Sequence, residues 1–330
     1  MLLLYIVIIY FCLCAVLIVW PVPDQRPVAN YDYSSLSESA QHIDSGEEQW
    51  LTQRDGTQLF FRVYDSVSTT TLVLLHGSGS DSRYLSGIAA YLASTGIFRV
   101  VTPDVRGHGR NSGRRGDIDY IGQLDHDLED LLAHIHKDYR GGKIIVGGHS
   151  SGGGMALRYV GNIHVRQPDG LLLLSPYLGN ESPTVKPNSG GWVTVVLKRW
   201  IGLSMINRFG FRLFNGLTVL LFNRPDTWND ELQVPSYSYR MAVNYAPNNY
   251  VKDIEKIKVP SLILVGSNDE SFYPEKFFPV FEVGASAKLV DVIVVEGANH
   301  MSIVDGAGSR NCIVDWYEST VKANANFADK

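Results

Sequence analysis

Gly148-His149-Ser150-Ser151-Gly152 is the stretch that decides the fold of this 330-residue chain. It follows an apolar run, residues 143–147 (KIIVG), and precedes residues 153–159 (GGMALRY), which have the composition of a helix. A G-x-S-x-G pentapeptide between a strand and a helix is typical of a sharp turn, in which glycines let the backbone fold tightly. Such a turn lifts the serine hydroxyl above the edge of a sheet. The stretch therefore predicts Ser150 as a nucleophile.

The composition indicates a globular protein with a large core. Apolar residues make up 45% of the chain and charged residues 19%, and the length suits one large α/β domain or two smaller ones. The net charge of −5 gives no reason to expect a nucleic acid partner. Of the three cysteines, Cys12 and Cys14 lie in an apolar leader, so a disulfide framework is not expected and Cys312 is predicted to be free.

The N-terminal residues 1–20 (MLLLYIVIIYFCLCAVLIVW) are apolar and uncharged, and are numerous enough to cross a hydrocarbon core. A cleavable signal peptide has a basic start and a small-residue cleavage site, whereas this run contains no Lys or Arg and ends in Trp20-Pro21-Val22-Pro23. We therefore expect a single-pass transmembrane anchor, with a cleaved signal peptide as the alternative. The side of the membrane is not indicated, because the nearest basic residue is Arg26. The polar residues 21–48 predict a linker.

Residues 49–330 are predicted to form one α/β domain. Apolar or alternating runs predict eight strands, and residues 82–95, 118–139 and 153–159 are predicted helices. Strands that alternate with helices imply a mostly parallel sheet covered by helices on both faces. The alternation stops over about residues 176–252, which predicts a helical cap inserted after the sixth strand. The predicted strands are residues 49–52, 58–64, 71–75, 98–102, 143–147, 170–175, 259–265 and 289–295.

Two further residues lie where the partners of a serine nucleophile belong. A serine hydroxyl needs a base to take its proton, and the base needs an acid to orient it. In a sheet of this kind the acid and then the histidine follow the serine, each just after a strand. Asp269 directly follows the seventh predicted strand, and His300 directly follows the eighth. We therefore predict Ser150, Asp269 and His300 as the catalytic residues.

Acyl transfer also needs two N–H donors that face the developing oxyanion. The backbone of Ser151, directly after the nucleophile, supplies one. The loop after the third strand supplies the other, with Ser78 as the predicted donor and Gly77 as the alternative. Glu270 is the alternative acid, and Ser151 is the alternative nucleophile, although its frame lacks the leading glycine.

Over about residues 48–325 the chain resembles the α/β-hydrolase superfamily. Together its motifs look like those of the lysophospholipase, monoacylglycerol lipase and serine aminopeptidase-like branch. This resemblance implies an α/β-hydrolase fold and a cap that sets the acyl pocket. The motifs that carry it are His76-Gly77-Ser78-Gly79, Pro103-Asp104-Val105-Arg106-Gly107-His108-Gly109-Arg110-Asn111-Ser112, Gly148-His149-Ser150-Ser151-Gly152, Asp269 and His300.

The leading hypothesis is a membrane-anchored serine hydrolase that cleaves carboxylic esters of lipid-like substrates, such as a monoacylglycerol or a lysophospholipid. It would bind a small amphiphilic acyl ester, form an acyl-enzyme on Ser150, and need no metal or organic cofactor. One alternative is a serine aminopeptidase or amidase, in which Asp226, Asp230 or Glu231 of the cap would hold a substrate ammonium group. The other is a catalytically silent binding module of the same fold. The oligomeric state is not indicated.

Overall fold

The computed structural model describes residues 1–24, 46–139, 142–224, 230–282 and 289–322. Eight strands of this described part form one large sheet in the order β1-β2-β4-β3-β5-β6-β10-β11, and β7, β8 and β9 form a separate antiparallel sheet. In chain order the strands are β1 (Glu47–Thr52), β2 (Gln58–Tyr64), β3 (Thr71–Leu75), β4 (Arg99–Pro103), β5 (Ile144–His149), β6 (Gly170–Leu174), β7 (Val193–Val195), β8 (Thr218–Phe222), β9 (Ser236–Ser238), β10 (Ser261–Gly266) and β11 (Val290–Val295).

The large sheet is mostly parallel, as the sequence predicts. β1 is antiparallel to β2 and β2 to β4, whereas the neighbours from β4 across to β11 run parallel. The apolar runs of β3, β6 and β10 are buried at every residue, because helices cover both faces of the sheet. Since the strands are parallel, the residues that follow β5, β10 and β11 meet at one edge of the sheet.

Helices lie on both faces of the large sheet. The helix predicted over residues 118–139 begins only at Gln123, because Gly122 has a φ of +102°, which no α-helix accommodates. The helices are α1 (Leu2–Ile18), α2 (Ser86–Ser94), α3 (Gln123–Asp138), α4 (Ser151–Val160), α5 (Leu197–Asn207), α6 (Tyr239–Asn244), α7 (Tyr250–Glu255), α8 (Phe277–Glu282) and α9 (Ala307–Trp316). Helices α3 and α4 pack on one face, and α2 and α9 pack on the other.

The cap is a mixture of strands and helices, so the prediction of a helical cap over residues 176–252 is wrong in this respect. It contains the sheet β7-β8-β9 as well as α5, α6 and α7. The β-branched residues of Val193–Val195 and of Thr218-Val219 favour strands, and β7 and β8 pair along their whole shared length. An apolar run does not by itself distinguish a buried strand from a helix, so the apolar residues of the cap did not indicate that β7 and β8 are strands.

The predicted single-pass transmembrane anchor over residues 1–20 is wrong. Helix α1 has 17 residues, which at the usual rise span about 25 Å, short of the roughly 30 Å of a hydrocarbon core. Among the described residues, no helix has both the length and the apolar character that a membrane span requires. The predicted linker over residues 21–48 lies mostly outside the described residues, and β1 already begins at Glu47.

Helix α1 instead packs on helix α5 of the cap. Its buried side chains Cys14 and Ile18 face Gly202, where an added Cβ would lie 2.9 Å from Ile18 Cγ1 and 3.0 Å from the carbonyl oxygen of Cys14. The Tyr10 hydroxyl donates to the carbonyl of Met205 at 3.1 Å, and the Arg199 guanidinium donates to the carbonyl of Ile18 at 3.0 Å. The absence of a side chain at position 202 therefore lets the two helices touch.

We expect Gly202→Val to separate α1 from the cap, because the new side chain would overlap the backbone and side chains of α1. Hydrogen–deuterium exchange of residues 2–18 should become faster, with the exchange of β5 and β6 unchanged. The matched control is Ile201→Val, since Ile201 is the adjacent residue of the same helix and is exposed. Equal protection of α1 in the wild type and in Gly202→Val would contradict this packing.

Candidate active site

Ser150 occupies a strained turn between β5 and α4. Its φ of +54° lies in a region that side-chain-bearing residues rarely adopt. The two glycines of the pentapeptide make this turn possible. A Cβ at Gly148 would lie 2.3 Å from the carbonyl carbon of Gly152, and a Cβ at Gly152 would lie 2.4 Å from the carbonyl oxygen of Leu75. The G-x-S-x-G pattern is therefore a steric requirement of this fold.

His300 lies within hydrogen-bond distance of both other predicted catalytic side chains, Ser150 and Asp269. His300 Nε2 lies 3.2 Å from Ser150 Oγ, and His300 Nδ1 lies 3.0 Å from Asp269 Oδ2. The elements that carry them are distant in sequence, since Ser150 follows β5, Asp269 follows β10 and His300 follows β11. They meet because the carboxyl ends of these strands share one edge of the sheet.

The Asp269 carboxylate is buried and well supplied with donors. The backbone N–H groups of Ser271 and Phe272 donate to its Oδ1 at 2.8 and 3.0 Å. Burial by itself raises the pKa of Asp269, but the adjacent His300 and these donors hold the pKa below its ordinary value. Asp269 is therefore ionised at neutral pH and accepts the Nδ1–H of His300, so that Nε2, which faces Ser150 Oγ, is the nitrogen that can accept a proton.

Glu270, the alternative acid, has a different place. Its carboxylate accepts a hydrogen bond from the backbone N–H of His300 at 2.8 Å. It therefore holds the main chain of His300, while Asp269 contacts the ring. Ser151, the alternative nucleophile, is the first residue of α4, and its hydroxyl accepts a hydrogen bond from the Ser78 hydroxyl at 2.8 Å.

The loop after β3 presents Ser78 beside Ser150. In the part of the chain that the structure describes, no acceptor pairs with the backbone N–H of Ser78 or of Ser151. The N–H of Gly77, the alternative donor, instead donates to the hydroxyl of Tyr84 at 2.6 Å. Ser78 and Ser151 therefore each have an available N–H group next to Ser150, whereas the N–H of Gly77 is already bonded to Tyr84.

Tyr84 and His149 connect this loop to the predicted catalytic residue His300. His149 Nε2 lies 2.9 Å from the carbonyl oxygen of His300, so that nitrogen carries the proton and donates it. The other nitrogen, Nδ1, therefore accepts from the Tyr84 hydroxyl at 2.9 Å, and the same hydroxyl accepts from Gly77. Burial, together with the neighbouring His300, lowers the pKa of His149 to about 3, which keeps its ring neutral.

Tyr84 and His149 support the site although the sequence does not predict a role for either. Tyr84 lies 65 positions before His149, and neither occurs in a pattern that indicates pairing. The one available signal was that His149 occupies the first of the two variable positions of the pentapeptide, directly before Ser150. Its contact with His300 depends on the close approach of β5 and the loop after β11.

A cavity of about 630 Å³ opens above Ser150. Its far wall comes from the cap and is mainly apolar, with Trp192, Trp200 and Leu220 among its residues. Glu181 is the one charged side chain among the described residues that line it. Serine, aliphatic and aromatic residues also line the cavity, among them Ser78, Ser151, Val193, Val195, Leu197, Phe222, Tyr237 and Tyr245.

Two of the three cap carboxylates predicted for an ammonium-binding role, Asp230 and Glu231, lie away from this cavity. Asp230 forms an ion pair with Arg83 at 2.7 Å on the surface, and Glu231 is exposed. Neither lines the cavity. Asp226 lies outside the described residues.

The family model described as "Serine aminopeptidase, S33" matches residues 67–306, which include all three predicted catalytic residues and the cap. The chain belongs to this family. It is therefore a hydrolase of the α/β-hydrolase superfamily, as the sequence motifs predicted.

Curated relatives and solved structures agree with this membership. The hydrolase is 23% identical to the monoglyceride lipase of Homo sapiens over 277 residues, covering 81% of this chain and 88% of the relative. It is 25% identical to a non-heme haloperoxidase of Rhodococcus erythropolis over 242 residues, covering 67% of this chain and 82% of the relative. The crystal structure of the Paleococcus ferrophilus monoacylglycerol lipase superposes with a TM-score of 0.58 at 25% identity, covering 79% and 98% of the two chains.

We expect the hydrolase to lose stability as the pH falls below about 6.5, because the pKa of His149 is about 3 in the folded state and near 6.5 in the unfolded state. Between these values the unfolded chain binds a proton that the folded chain does not, which costs up to about 1.4 kcal/mol of unfolding free energy per pH unit. Denaturant unfolding at pH 7, 6 and 5 measures this slope.

His149→Asn should reduce the slope, whereas His164→Asn, at an exposed histidine, should leave it as in the wild type. A slope that is the same in the wild type and in His149→Asn would show that the buried imidazole is not responsible.

Proposed function

We propose that this protein is a serine hydrolase that cleaves carboxylic esters of lipid-like substrates, such as monoacylglycerols or lysophospholipids, through an acyl-enzyme on Ser150. One observation carries the proposal: Ser150 Oγ lies 3.2 Å from His300 Nε2 and lines a cavity of about 630 Å³ whose cap wall is mainly apolar. The arrangement combines an activated nucleophile with a space that suits an acyl chain.

The first half of the reaction acylates Ser150. His300 Nε2 takes the hydroxyl proton as Ser150 Oγ bonds to the acyl carbon, and the carbonyl π electrons move onto its oxygen. Asp269 stabilises the imidazolium that forms, because its carboxylate lies 3.0 Å from His300 Nδ1. The N–H groups of Ser78 and Ser151 donate to the new oxyanion.

Collapse of the tetrahedral intermediate breaks the bond to the leaving alcohol oxygen, and His300 Nε2 returns its proton to that oxygen. In the second half a water molecule gives its proton to His300 Nε2 and attacks the acyl carbon. The second collapse releases the fatty acid and restores the hydroxyl of Ser150. No step needs a metal or an organic cofactor.

The lining of the cavity favours a substrate with a long apolar part. The cap contributes five apolar side chains to the wall: Trp192, Val193, Val195, Trp200 and Leu220. An acyl chain bound against them would remove apolar surface of both the chain and these residues from water. The volume lies within the usual range for small-molecule pockets, roughly 300–1,000 Å³. The names of two similar proteins, the human monoglyceride lipase and the Paleococcus monoacylglycerol lipase, support the same substrate class.

An aminopeptidase or amidase is the alternative, and the description of the matching family favours it. Such an enzyme needs a carboxylate that holds the substrate ammonium group. Of the described cavity residues only Glu181 offers one, while Asp230 and Glu231 lie elsewhere. We therefore place the ester reading first, and Glu181 is the residue on which an amine-directed activity would depend.

Substitution Ser150→Ala should abolish both hydrolysis of p-nitrophenyl butyrate and labelling by a fluorophosphonate probe, because no other group would attack the carbonyl. We expect kcat/KM to fall by about 10⁴-fold or more. The matched control is Ser204→Ala, since Ser204 is a cap serine that bonds to Tyr239 and does not line the cavity.

Labelling that persists in Ser150→Ala would reject Ser150 as the nucleophile. Parallel assays with aminoacyl-p-nitroanilides test the alternative, and faster cleavage of the anilides than of the esters would replace the ester proposal with an aminopeptidase.

Leu220→Trp should shorten the acyl chain that the enzyme accepts, because the larger side chain fills the apolar part of the cavity. We expect kcat/KM for a p-nitrophenyl dodecanoate to fall at least about tenfold, with the acetate within about twofold of the wild type. Leu221→Trp is the matched control, since Leu221 is the next residue of β8 and does not line the cavity. An equal loss for both esters would place the acyl chain elsewhere.

A further inference from the structure

The N–H of Ser78, which the proposed mechanism uses, belongs to the peptide between Gly77 and Ser78. The carbonyl of that peptide accepts a hydrogen bond from His76 Nδ1 at 2.9 Å. The peptide before it is held through the N–H of Gly77, which donates to Tyr84 at 2.6 Å. The peptide after it is held through the N–H of Gly79. Each of three consecutive peptides is thus fixed by a side chain.

The cap supplies the contacts that hold Gly79. Its N–H donates to the hydroxyl of Tyr237, on cap strand β9, at 2.6 Å. Its carbonyl accepts from the backbone N–H of Val234 at 2.8 Å and from the guanidinium of Arg224. Gly79 has a φ of +66°, and a Cβ there would lie 2.0 Å from Arg224 Nη2. The cap therefore encloses this residue too closely for any side chain.

The Tyr237 hydroxyl has a defined direction. His108 Nδ1 lies 3.0 Å from the carbonyl oxygen of Arg106, so that nitrogen carries the proton. Its Nε2 therefore accepts from the Tyr237 hydroxyl at 2.6 Å. Burial holds the pKa of His108 well below its ordinary value and raises the pKa of Tyr237, so the imidazole stays neutral and the phenol stays protonated.

We propose that Tyr237 is a positioning residue of the oxyanion hole, and that the cap thereby assembles part of the site as well as covering it. With its proton committed to His108, the Tyr237 oxygen is left to accept the N–H of Gly79 and fixes the peptide that follows Ser78. Because Tyr84 fixes the peptide before Gly77, the intervening N–H of Ser78 cannot rotate away from the reacting carbonyl. A donor held in advance needs no reorganisation when the charge develops.

This inference rests on the proposed ester hydrolysis, and its test measures transition-state binding separately from substrate binding. Tyr237→Phe keeps the ring, which packs against Phe222 and Tyr245, and removes the hydroxyl. For p-nitrophenyl butyrate we expect kcat to fall about tenfold to a hundredfold, with KM within about twofold of the wild type. Complete loss of an oxyanion donor costs roughly 10²–10³ in kcat, and in this variant the N–H of Ser78 remains but is held less firmly.

A pair of ketone inhibitors supplies the second readout. An alkyl trifluoromethyl ketone adds the serine hydroxyl and forms an oxyanion, whereas the unfluorinated ketone of the same length binds without reacting. Tyr237→Phe should weaken the fluorinated inhibitor by the same factor as kcat and leave the affinity of the other unchanged. Tyr239→Phe is the matched control, since its hydroxyl bonds to Ser204 at 3.1 Å and is absent from the site.

Arg224→Met is a second variant that acts through the carbonyl of Gly79, and it carries the test if Tyr237→Phe does not fold. It should change kcat and the fluorinated inhibitor in the same direction. An unchanged kcat, or an equal loss of affinity for both ketones, in the folded variants would overturn the inference while ester hydrolysis by the wild type stands. A wild type that hydrolyses no ester, or a Ser150→Ala variant that still does, would overturn the proposed function and this inference with it.

Discussion

The turn between β5 and α4 holds Ser150 at a φ of +54°, and the arrangement of the site depends on this strained residue. The turn is possible because backbone segments approach closely at Gly148 and Gly152, where even one methyl group would overlap backbone atoms. It places the serine hydroxyl at the carboxyl edge of a parallel sheet, where the segments after β10 and β11 arrive. The packing of the whole sheet offsets the strain at this one residue. The turn therefore holds Ser150 in a defined position, within reach of His300.

Buried neutral imidazoles connect the parts of this site. His76, His108 and His149 each donate from one ring nitrogen to a main-chain carbonyl and accept at the other. Burial lowers the pKa of all three, which removes the charged form and leaves one donor and one acceptor per ring. His76 in this state links two backbone groups, the carbonyl of Gly77 and the N–H of Val105, whereas His108 and His149 each link a backbone carbonyl to a tyrosine hydroxyl.

The sequence predicted the positions of Ser150, Asp269 and His300 better than it predicted the structure of the cap. The strand positions, the order of the serine, the acid and the histidine, and the location of each after a strand all follow from local patterns, because a parallel sheet imposes a fixed relation between chain order and space. The cap obeys no such relation. Its apolar residues fit strands and helices equally well, so the sequence predicts helical pieces where β7 and β8 form. It likewise predicts a membrane span over residues 1–20, where Gly202 lets α1 pack on α5.

Sequence alone determined the parallel sheet, the tight turn and the family, since these depend on short-range sterics and on the order of elements along the chain. Only the tertiary structure decided which groups support the reacting atoms. Tyr84 and Tyr237 lie on separate elements, and the hydroxyl of Tyr237 reaches the N–H of Gly79 across 158 positions of sequence. No periodicity or motif in the sequence indicates a hydrogen bond of this kind, because the bond depends on how the cap packs on the sheet. The tertiary structure therefore decided that the backbone N–H of Ser78 lies between two peptides held by hydrogen bonds and, among the described residues, pairs with no acceptor, as is also true of Ser151.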